Sequence, residues 1–147
     1  MKITGFILLI SIILFCSCGR KIADTSKGCV TAFINAVEQH DMEKAWDCLG
    51  KDAKAFYNDL GDKMRKSGKG ALENEVNRIK SFRNAQKDYV MKKDKDNENN
   101  IHLNTSGGAD FLIEMVDEDG AFKIKDGNSV RSILKTIAGE VYNQNPY

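Results

Sequence analysis

The chain has 147 residues, of which 22 are Lys or Arg and 21 are Asp or Glu, so its formal net charge is +1. This length suits one domain with a single core, and the mixed, near-neutral charge argues against a nucleic-acid partner, which requires a basic face. A single proline and an ordinary share of aromatic residues argue against both a disordered chain and a disulfide scaffold.

The first residues have the features of an export signal. Lys2 supplies a positive charge, and residues 3–15 form a largely apolar run. A bilayer span needs roughly 20 apolar residues, so this run is too short to serve as an anchor helix. Arg20 and Lys21 follow closely, as expected after a cleaved signal.

The end of the leader, Leu-Phe-Cys-Ser-Cys-Gly, resembles the lipobox of bacterial lipoproteins, in the relaxed form that Bacteroides-type lipoproteins carry. The resemblance implies cleavage just before a cysteine that then receives lipid. A cut before Cys18 leaves the small Ser17 in front of it, whereas a cut before Cys16 leaves the bulky Phe15 there. We therefore expect the lipid on Cys18.

Cleavage at this position divides the chain into three parts and predicts its location. Residues 1–17 are the signal peptide, residues 18–23 a lipidated tether, and residues 24–147 one domain. We expect acyl chains on Cys18 to attach the domain to the membrane of the bacterial cell envelope. No acidic run follows this cysteine, which favours a periplasm-facing domain.

Two cysteines, Cys29 and Cys48, remain in the predicted domain. An oxidising envelope permits a disulfide between them, but both lie on apolar helical faces, where free thiols act as small hydrophobes. The sequence does not give the distance between their Cα atoms, so both alternatives stay open. A catalytic thiol has less support, because no histidine stands beside either cysteine in the sequence.

Four helices are predicted in the first half of the domain, where apolar residues recur at helical spacing. Residues 24–26 and Asp41 are expected to cap the first two helices, and Gly50 to end the second. Residues 67–70 are expected to form a flexible turn before the fourth helix. The four apolar stripes are Cys29-Val30-Phe33-Ile34-Val37, Met42-Ala45-Trp46-Leu49, Ala53-Phe56-Tyr57-Leu60-Met64 and Leu72-Val76-Ile79.

The second half changes to the alternating pattern of strands. Alternation around residues 89–91, 101–105 and 122–124, together with a nearly continuous apolar run at 109–116, predicts about four antiparallel strands. Turns are expected at Gly107-Gly108 and at Glu118-Asp119-Gly120, whose Asp-Gly pair suits a hairpin.

A terminal amphipathic helix is predicted from Val130 to Val141, with Asn128 or Ser129 as its cap. We therefore expect an α+β fold, in which N-terminal helices pack on one curved antiparallel sheet and a C-terminal helix follows the sheet.

Two segments resemble the nuclear-transport-factor-two-like (NTF2-like) or cystatin-like α+β domains. Residues 29–46, CVTAFINAVEQHDMEKAW, are similar to the opening helix pair of that superfamily. Residues 111–116 and 120–124 look like its closing hairpin, with Phe122 where Trp is commoner. The resemblance implies a cone-shaped curved sheet. It also implies that the nearest relatives by pattern are small bacterial lipoproteins of unknown function.

The resemblance also implies that the superfamily's hydratases and isomerases are relevant. These enzymes use Asp, His or Tyr inside the cone. None of their motifs transfers residue by residue. Tyr57, Tyr89 and Asp110 are the candidates for such a site. His40 lies in the predicted turn between the first two helices, and His102 alternates with core positions, so we expect both to face solvent.

Acidic residues in the second half invite two further readings. Asp110 and Glu114 would share a strand face, and we expect them to be surface groups in salt bridges instead of a catalytic pair. Residues 94–101 imitate a calcium loop, but Asn99 replaces the glycine at its turn and Thr105 the bidentate Glu at its end. A polar hairpin loop without a metal is therefore predicted.

The leading functional hypothesis is a non-catalytic, lipid-anchored envelope domain that binds a small apolar ligand or a protein partner, with no cofactor. One alternative is a hydratase or isomerase, and another is a structural subunit that docks through the helix from Val130 to Val141. A ligand pocket between helices and sheet would be lined by aromatic residues. The candidates are Trp46, Phe56, Tyr57, Phe82, Tyr89, Phe111 and Phe122.

Overall fold

The structure, a computed structural model, describes residues 24–79 and 88–138 and has the predicted α+β class. The predicted leader, the predicted lipidation site Cys18 and the pocket candidate Phe82 lie outside the described residues. In chain order the elements are α1 (Ser26–Glu38), α2 (Met42–Asp47), α3 (Lys51–Lys63), α4 (Gly68–Val76), β1 (Tyr89–Lys93), β2 (Ile101–Thr105), β3 (Asp110–Ile113), β4 (Met115–Glu118), β5 (Ala121–Ile124) and α5 (Gly127–Ile137).

Side-chain caps fix the starts of α1, α2 and α4. Thr25 caps α1 and Asp41 caps α2, which confirms the predicted caps. The prediction of a flexible turn at residues 67–70 was wrong. Ser67 is the N-cap of α4, and its hydroxyl oxygen accepts a hydrogen bond of 3.0 Å from the amide of Gly70. This bond satisfies an amide of the first turn, so the helix begins at once.

Helix α3 is capped from a distant part of the chain. Its N-cap residue, Gly50, has no side chain that could accept a hydrogen bond. Instead Glu118, at the end of β4, accepts a 2.9 Å hydrogen bond from the amide of Lys51. A carboxylate at this end also interacts favourably with the positive end of the helix dipole. The β4–β5 hairpin is thus joined to the helical layer.

Helix α5 begins earlier than predicted. Its cap is Asp126, not Asn128 or Ser129, because the Asp126 carboxylate accepts a 2.8 Å hydrogen bond from the Ser129 amide. The predicted apolar stripe is confirmed as far as the described residues reach, and Val141 lies beyond them. Its four members, all fully buried, are Val130, Ile133, Leu134 and Ile137.

The strands form two sheets, whereas the sequence predicted one sheet of about four strands. One sheet has the order β1-β2-β3 and the other consists of β4 and β5, all antiparallel. The apolar run at residues 109–116 breaks at Glu114. Its amide donates to the Ser129 hydroxyl (2.9 Å), and its carbonyl accepts from the Lys125 amide (2.9 Å). The chain therefore leaves β2 and continues beside β5.

Both predicted turns are present. Asp119 and Gly120 join β4 to β5 with φ values of +56° and +77°. Two successive left-handed residues suit the twist of a tight hairpin, which explains the Asp-Gly pair. Gly108, between β2 and β3, also has a positive φ of 82°.

The core lies between the helices and the inner face of the three-stranded sheet. Ile101, Leu103 and Ile113 are fully buried on that face. Helix α5 contacts α1, α3, β2 and β3, so its apolar stripe joins the helical layer to the sheet. Its first residue, Gly127, lies on the Phe56 ring, where an added Cβ atom would come within 2.2 Å of a ring carbon.

A buried ionic network ties three helices together. Glu75 of α4 is only 5% exposed, and its carboxylate accepts hydrogen bonds from the Tyr57 hydroxyl (2.8 Å) and the Arg131 Nε (3.0 Å). The Arg131 guanidinium also stacks 4.8 Å from the centre of the Phe56 ring. A carboxylate at this depth is tolerated because both its oxygens are hydrogen-bonded. The network fixes α5 against α3 and α4.

We predict that Glu75→Ala lowers the free energy of unfolding by about 3 kcal/mol, because it removes the carboxylate that the half-buried Arg131 binds. Tyr57→Phe removes one neutral donor and should cost about 1 kcal/mol. Chemical denaturation measures both values. The matched control is Glu73→Ala, an exposed position on the same helix that should change stability by less than about 0.5 kcal/mol. Equal losses for the two alanine variants would contradict the network's role.

Candidate functional site

The three-stranded sheet has a second face, opposite the core, which we call the outer sheet face. Residues alternate between the two faces of a strand. The register pairs Lys92 with His102 and His102 with Leu112, while Asn104 lies between Val90 and Asp110. The outer sheet face is therefore defined by six residues: Val90, Lys92, His102, Asn104, Asp110 and Leu112.

His102 lies between two carboxylates at the centre of this face. Its Nδ1 is 2.8 Å from Asp110 Oδ1, and its Nε2 is 3.1 Å from Asp94 Oδ1. Asp110 begins β3 and Asp94 follows β1, so each reaches the central strand diagonally. A neutral imidazole has one N–H, and only the imidazolium form can donate to both carboxylates at once. The geometry thus favours a positively charged His102.

We call His102, Asp94 and Asp110 the triad. Its opposite charges shift the pKa values of His102 and Asp94 in the expected directions. The hydrogen bond to Asp110, followed by that to Asp94, raises the pKa of His102 above its ordinary value. In turn the hydrogen bond from His102 lowers the pKa of Asp94. The Asp94 carboxylate also accepts from the amides of Lys95 (2.8 Å) and Asn97 (3.1 Å). The triad therefore fastens the β1–β2 loop to β2.

Two apolar side chains flank the triad on the same face. Within residues 24–79 and 88–138, the exposed large hydrophobic residues are Val90, 58% exposed, and Leu112, 44% exposed. They belong to the two outer strands, on opposite sides of β2. Two strand spacings and an offset of two residues place them about 12 Å apart. The outer sheet face therefore combines an exposed apolar pair with a central charged cluster.

The aromatic residues predicted to line a pocket lie in several places. Tyr57 is fully buried and meets Phe56 edge to face at 5.2 Å between ring centres. Trp46 packs beside the start of α4, where its ring approaches Gly68. The other three described candidates are partly buried on strands and pack against the core: Tyr89, Phe111 and Phe122.

The residues proposed for an enzyme site are not brought together. Tyr57 donates to Glu75 among the helices. Tyr89 is half-buried on the inner side of β1, where burial, with a smaller effect of the Glu38 charge, raises the pKa of its hydroxyl. Asp110 lies on the opposite side of the sheet, against His102.

The prediction that Asp110 and Glu114 form surface ion pairs is confirmed. Asp110 binds His102, and Glu114 binds Lys125, with 2.6 Å between Lys125 Nζ and Glu114 Oε2. They do not share a strand face, because β3 ends before Glu114. The hydrogen bond to Glu114, followed by the effect of its charge, accordingly raises the pKa of Lys125.

The two histidines take the predicted exposed sides of the chain. His40 is exposed in the turn between α1 and α2, with a φ of +54°. His102 faces away from the core as predicted, but its two carboxylate partners were not predicted from the sequence. The available signal was their spacing, since Asp94 and Asp110 each lie eight residues from His102 in a predicted meander.

The predicted polar hairpin loop is confirmed between β1 and β2. The Asp94 carboxylate accepts the amides noted above, and the Asn97 side chain accepts a 3.1 Å hydrogen bond from the Asn99 amide. In the described part of the chain, no three His, Cys, Asp or Glu residues are arranged to hold a metal ion. Asp94 and Asp110 bind opposite nitrogens of the His102 ring, so the two carboxylates lie on opposite sides of the imidazole.

Cys29 and Cys48 are brought together in the core as free thiols. Both are fully buried, and the Cys29 thiol donates to the Cys48 carbonyl oxygen, 3.6 Å away. A side-chain hydrogen bond to Cys48, together with burial, raises the pKa of Cys29. The same bond lowers the pKa of Cys48.

No family model, curated protein or solved structure matches this chain. Among the described residues, no helix has the length and apolar character to cross a bilayer.

We predict a pH dependence of stability that His102→Gln removes. Because folding raises the pKa of His102, its contribution is complete below the unfolded value of about 6.5 and is lost as pH rises through the folded value. Folding lowers the pKa of Asp94, so that contribution is present above about 3.9 and is lost as pH falls through the folded value. The triad should stabilise most between these limits.

Urea denaturation at a series of pH values measures this contribution, and an NMR titration follows the His102 ring directly. Asp110→Asn should move the His102 pKa downward, because it removes the first partner. Asp59→Asn, which makes the same charge change at an exposed site on α3, is the matched control. A His102→Gln variant with the pH profile of the parent protein would refute the prediction.

Proposed function

We propose that this chain is a lipid-anchored, non-catalytic domain of the bacterial cell envelope that binds a protein partner through its outer sheet face. The observation that carries the proposal is the placement of Val90 and Leu112. The two exposed large hydrophobic residues of the described chain lie on one face, around a charged centre. Single exposed hydrophobics are ordinary, whereas grouped ones are typical of interaction sites.

The chemistry of the face suits a folded protein partner. Protein interfaces combine apolar contacts with charge-assisted hydrogen bonds at defined positions. Here the apolar pair supplies contact area, and the partly exposed carboxylate of Asp110 supplies a directional acceptor beside the imidazolium. A partner with an apolar patch and a hydrogen-bond donor between its apolar side chains would complement this arrangement.

The anchoring part of the proposal is supported by the leader. Its resemblance to a lipobox points to Cys18, and the mature chain has 21 basic and 21 acidic residues because only Lys2 leaves with the signal. A neutral domain gains little from anionic lipid surfaces, so attachment through acyl chains fits it better than attachment through a basic patch.

For the fold, we also propose a reduced version of the NTF2-like or cystatin-like cone. The order of elements supports it: a helix pair, antiparallel strands and a closing β4–β5 hairpin. The break at Glu114 divides the strands into two sheets, and α5 contacts β2 and β3 of the three-stranded sheet. In the proposed cone, the face that α5 contacts would be the concave one.

The other candidate functions have less support from the geometry. A small apolar ligand would need the aromatic candidates to line one space, and they pack at separate places. A hydratase or isomerase would need Tyr57, Tyr89 or Asp110 as an acid-base group inside the cone, whereas Tyr57 is hydrogen-bonded to Glu75 and Asp110 lies on the outer sheet face. Docking through the C-terminal helix would need its apolar stripe, which packs within its own core from Val130 to Ile137.

Lipid attachment is tested by metabolic labelling with radioactive palmitate, followed by membrane fractionation. We expect the parent protein to be labelled and membrane-bound, and Cys18→Ala to lose the label. Cys16→Ser is the matched control and should keep it, because Cys16 leaves with the signal. Label that survives Cys18→Ala but not Cys16→Ser would show that the lipid is on the other cysteine, and an unlabelled cytoplasmic parent would refute anchoring.

Partner binding is tested with a photo-crosslinking amino acid at position 112 in living cells. We expect a discrete adduct with one other protein, and we expect Val90→Asp to reduce its yield at least tenfold by placing a charge in the interface. A tenfold loss corresponds to about 1.4 kcal/mol, a modest cost for such a change.

Two controls make this experiment decisive. The same photo-crosslinker at Ala55, an exposed position on α3, should give no adduct, and Ala55→Asp should leave the adduct at position 112 unchanged. An adduct of twice the chain mass would show self-association, and no adduct from position 112, with the folded protein present in the envelope, would contradict the proposal.

A further inference from the structure

The helical layer contains a pair of sulfur atoms for which the proposed function has no use. Cys29 lies on the buried side of α1, and Cys48 is the residue that ends α2. Both are fully buried. The Cys29 thiol donates to the carbonyl oxygen of Cys48, 3.6 Å away. The sulfur atoms therefore face the same small volume of the core.

The backbone around Cys48 is held firmly. Its carbonyl accepts a 2.9 Å hydrogen bond from the Ile124 amide, in addition to the bond from Cys29. The next residue, Leu49, forms a parallel bridge with Ile124, and the Gly50 amide donates to the Ile124 carbonyl over 2.9 Å. Cys29 thus approaches the point where the α2–α3 connection joins β5.

We propose that the exported protein carries a disulfide between Cys29 and Cys48. The inference rests on the export part of the proposed function, because a disulfide persists in the envelope and not in the cytoplasm. The Cys29 thiol already packs against the backbone of Cys48 in the core, and no other cysteine of the mature domain competes, since Cys18 would carry lipid.

The bond forms by exchange with the disulfide of a thiol–disulfide oxidoreductase. A thiolate of this pair attacks the enzyme's disulfide, and the resulting mixed disulfide is resolved by the second thiolate. The Cys29–Cys48 bond forms, the enzyme's bond breaks, and the enzyme keeps the electron pair and two protons as two thiols. Because both sulfurs are buried in the folded domain, exchange takes place before α1 closes over α2.

The cross-link would restrain the unfolded chain between α1 and the end of α2. A loop of this length stabilises a domain mainly by removing conformations from the unfolded state. We expect reduction to lower the melting temperature by roughly 10 °C for a domain of this size. The Cys29→Ala/Cys48→Ala variant should be insensitive to reductant.

The test is alkylation with iodoacetamide of the protein isolated from the envelope, in denaturant, followed by intact mass and peptide mass measurement. Without reductant we expect no alkylated cysteine and a linked pair of peptides containing Cys29 and Cys48. After reduction we expect two alkylated cysteines. The same chain expressed without residues 1–17 in a reducing cytoplasm is the control, and should show three alkylated cysteines from the start, because Cys18 then carries no lipid.

The result separates this inference from the proposed function. A lipidated envelope protein with two free thiols overturns the disulfide and leaves the proposed function standing. A linked pair in a lipidated protein supports both. A chain that is neither exported nor lipidated overturns the proposed function, and the disulfide that rests on export is overturned with it. The assay needs no substitution, so a variant that fails to fold does not affect it.

Discussion

The fold depends on one buried carboxylate, that of Glu75, at the junction of three helices. Removing a carboxylate from water is costly, so this position is stable only while Tyr57 and Arg131 supply hydrogen bonds and positive charge. Those partners come from α3 and α5, and the network therefore sets how α5 lies on the helical layer. Because α5 also contacts β2 and β3, its placement sets which face of the three-stranded sheet is turned to solvent.

Periodicity was sufficient to predict the helices and most strands, since these are decided by nearest neighbours and burial. Periodicity failed where a contact with a residue distant in the sequence determines the structure. Residues 109–116 are apolar enough for one strand, but the hydroxyl of Ser129, 15 residues away, captures the Glu114 amide and divides the sheet. Likewise, the burial of Glu75 depends on Arg131, 56 residues away. Nothing in α4 by itself distinguishes Glu75 from the exposed Glu73.

The candidate site could be predicted only in part, because alternation is a local property whereas contacts between strands are not. Alternation placed His102 on the solvent side of its strand correctly. Its carboxylate partners depend on the register of two hairpins, which the turns at 94–100 and 106–109 determine only once their lengths are known. The triad follows from that register, since Asp94 and Asp110 are diagonal neighbours of His102. The sequence pattern therefore predicts which face of a strand carries a polar residue more readily than it predicts the groups that this residue binds.

The proposed anchor also limits where a partner can be. From Cys18 to Ser26, where α1 begins, the chain has eight peptide steps, and an extended chain spans at most about 3.6 Å per residue. The start of α1 would therefore lie within roughly 30 Å of the lipid. A tether this short would hold the outer sheet face at high local concentration near the membrane, so weak contacts through Val90 and Leu112 would suffice for a partner in the same layer. A freely diffusing partner would require a larger exposed apolar surface than these two residues provide.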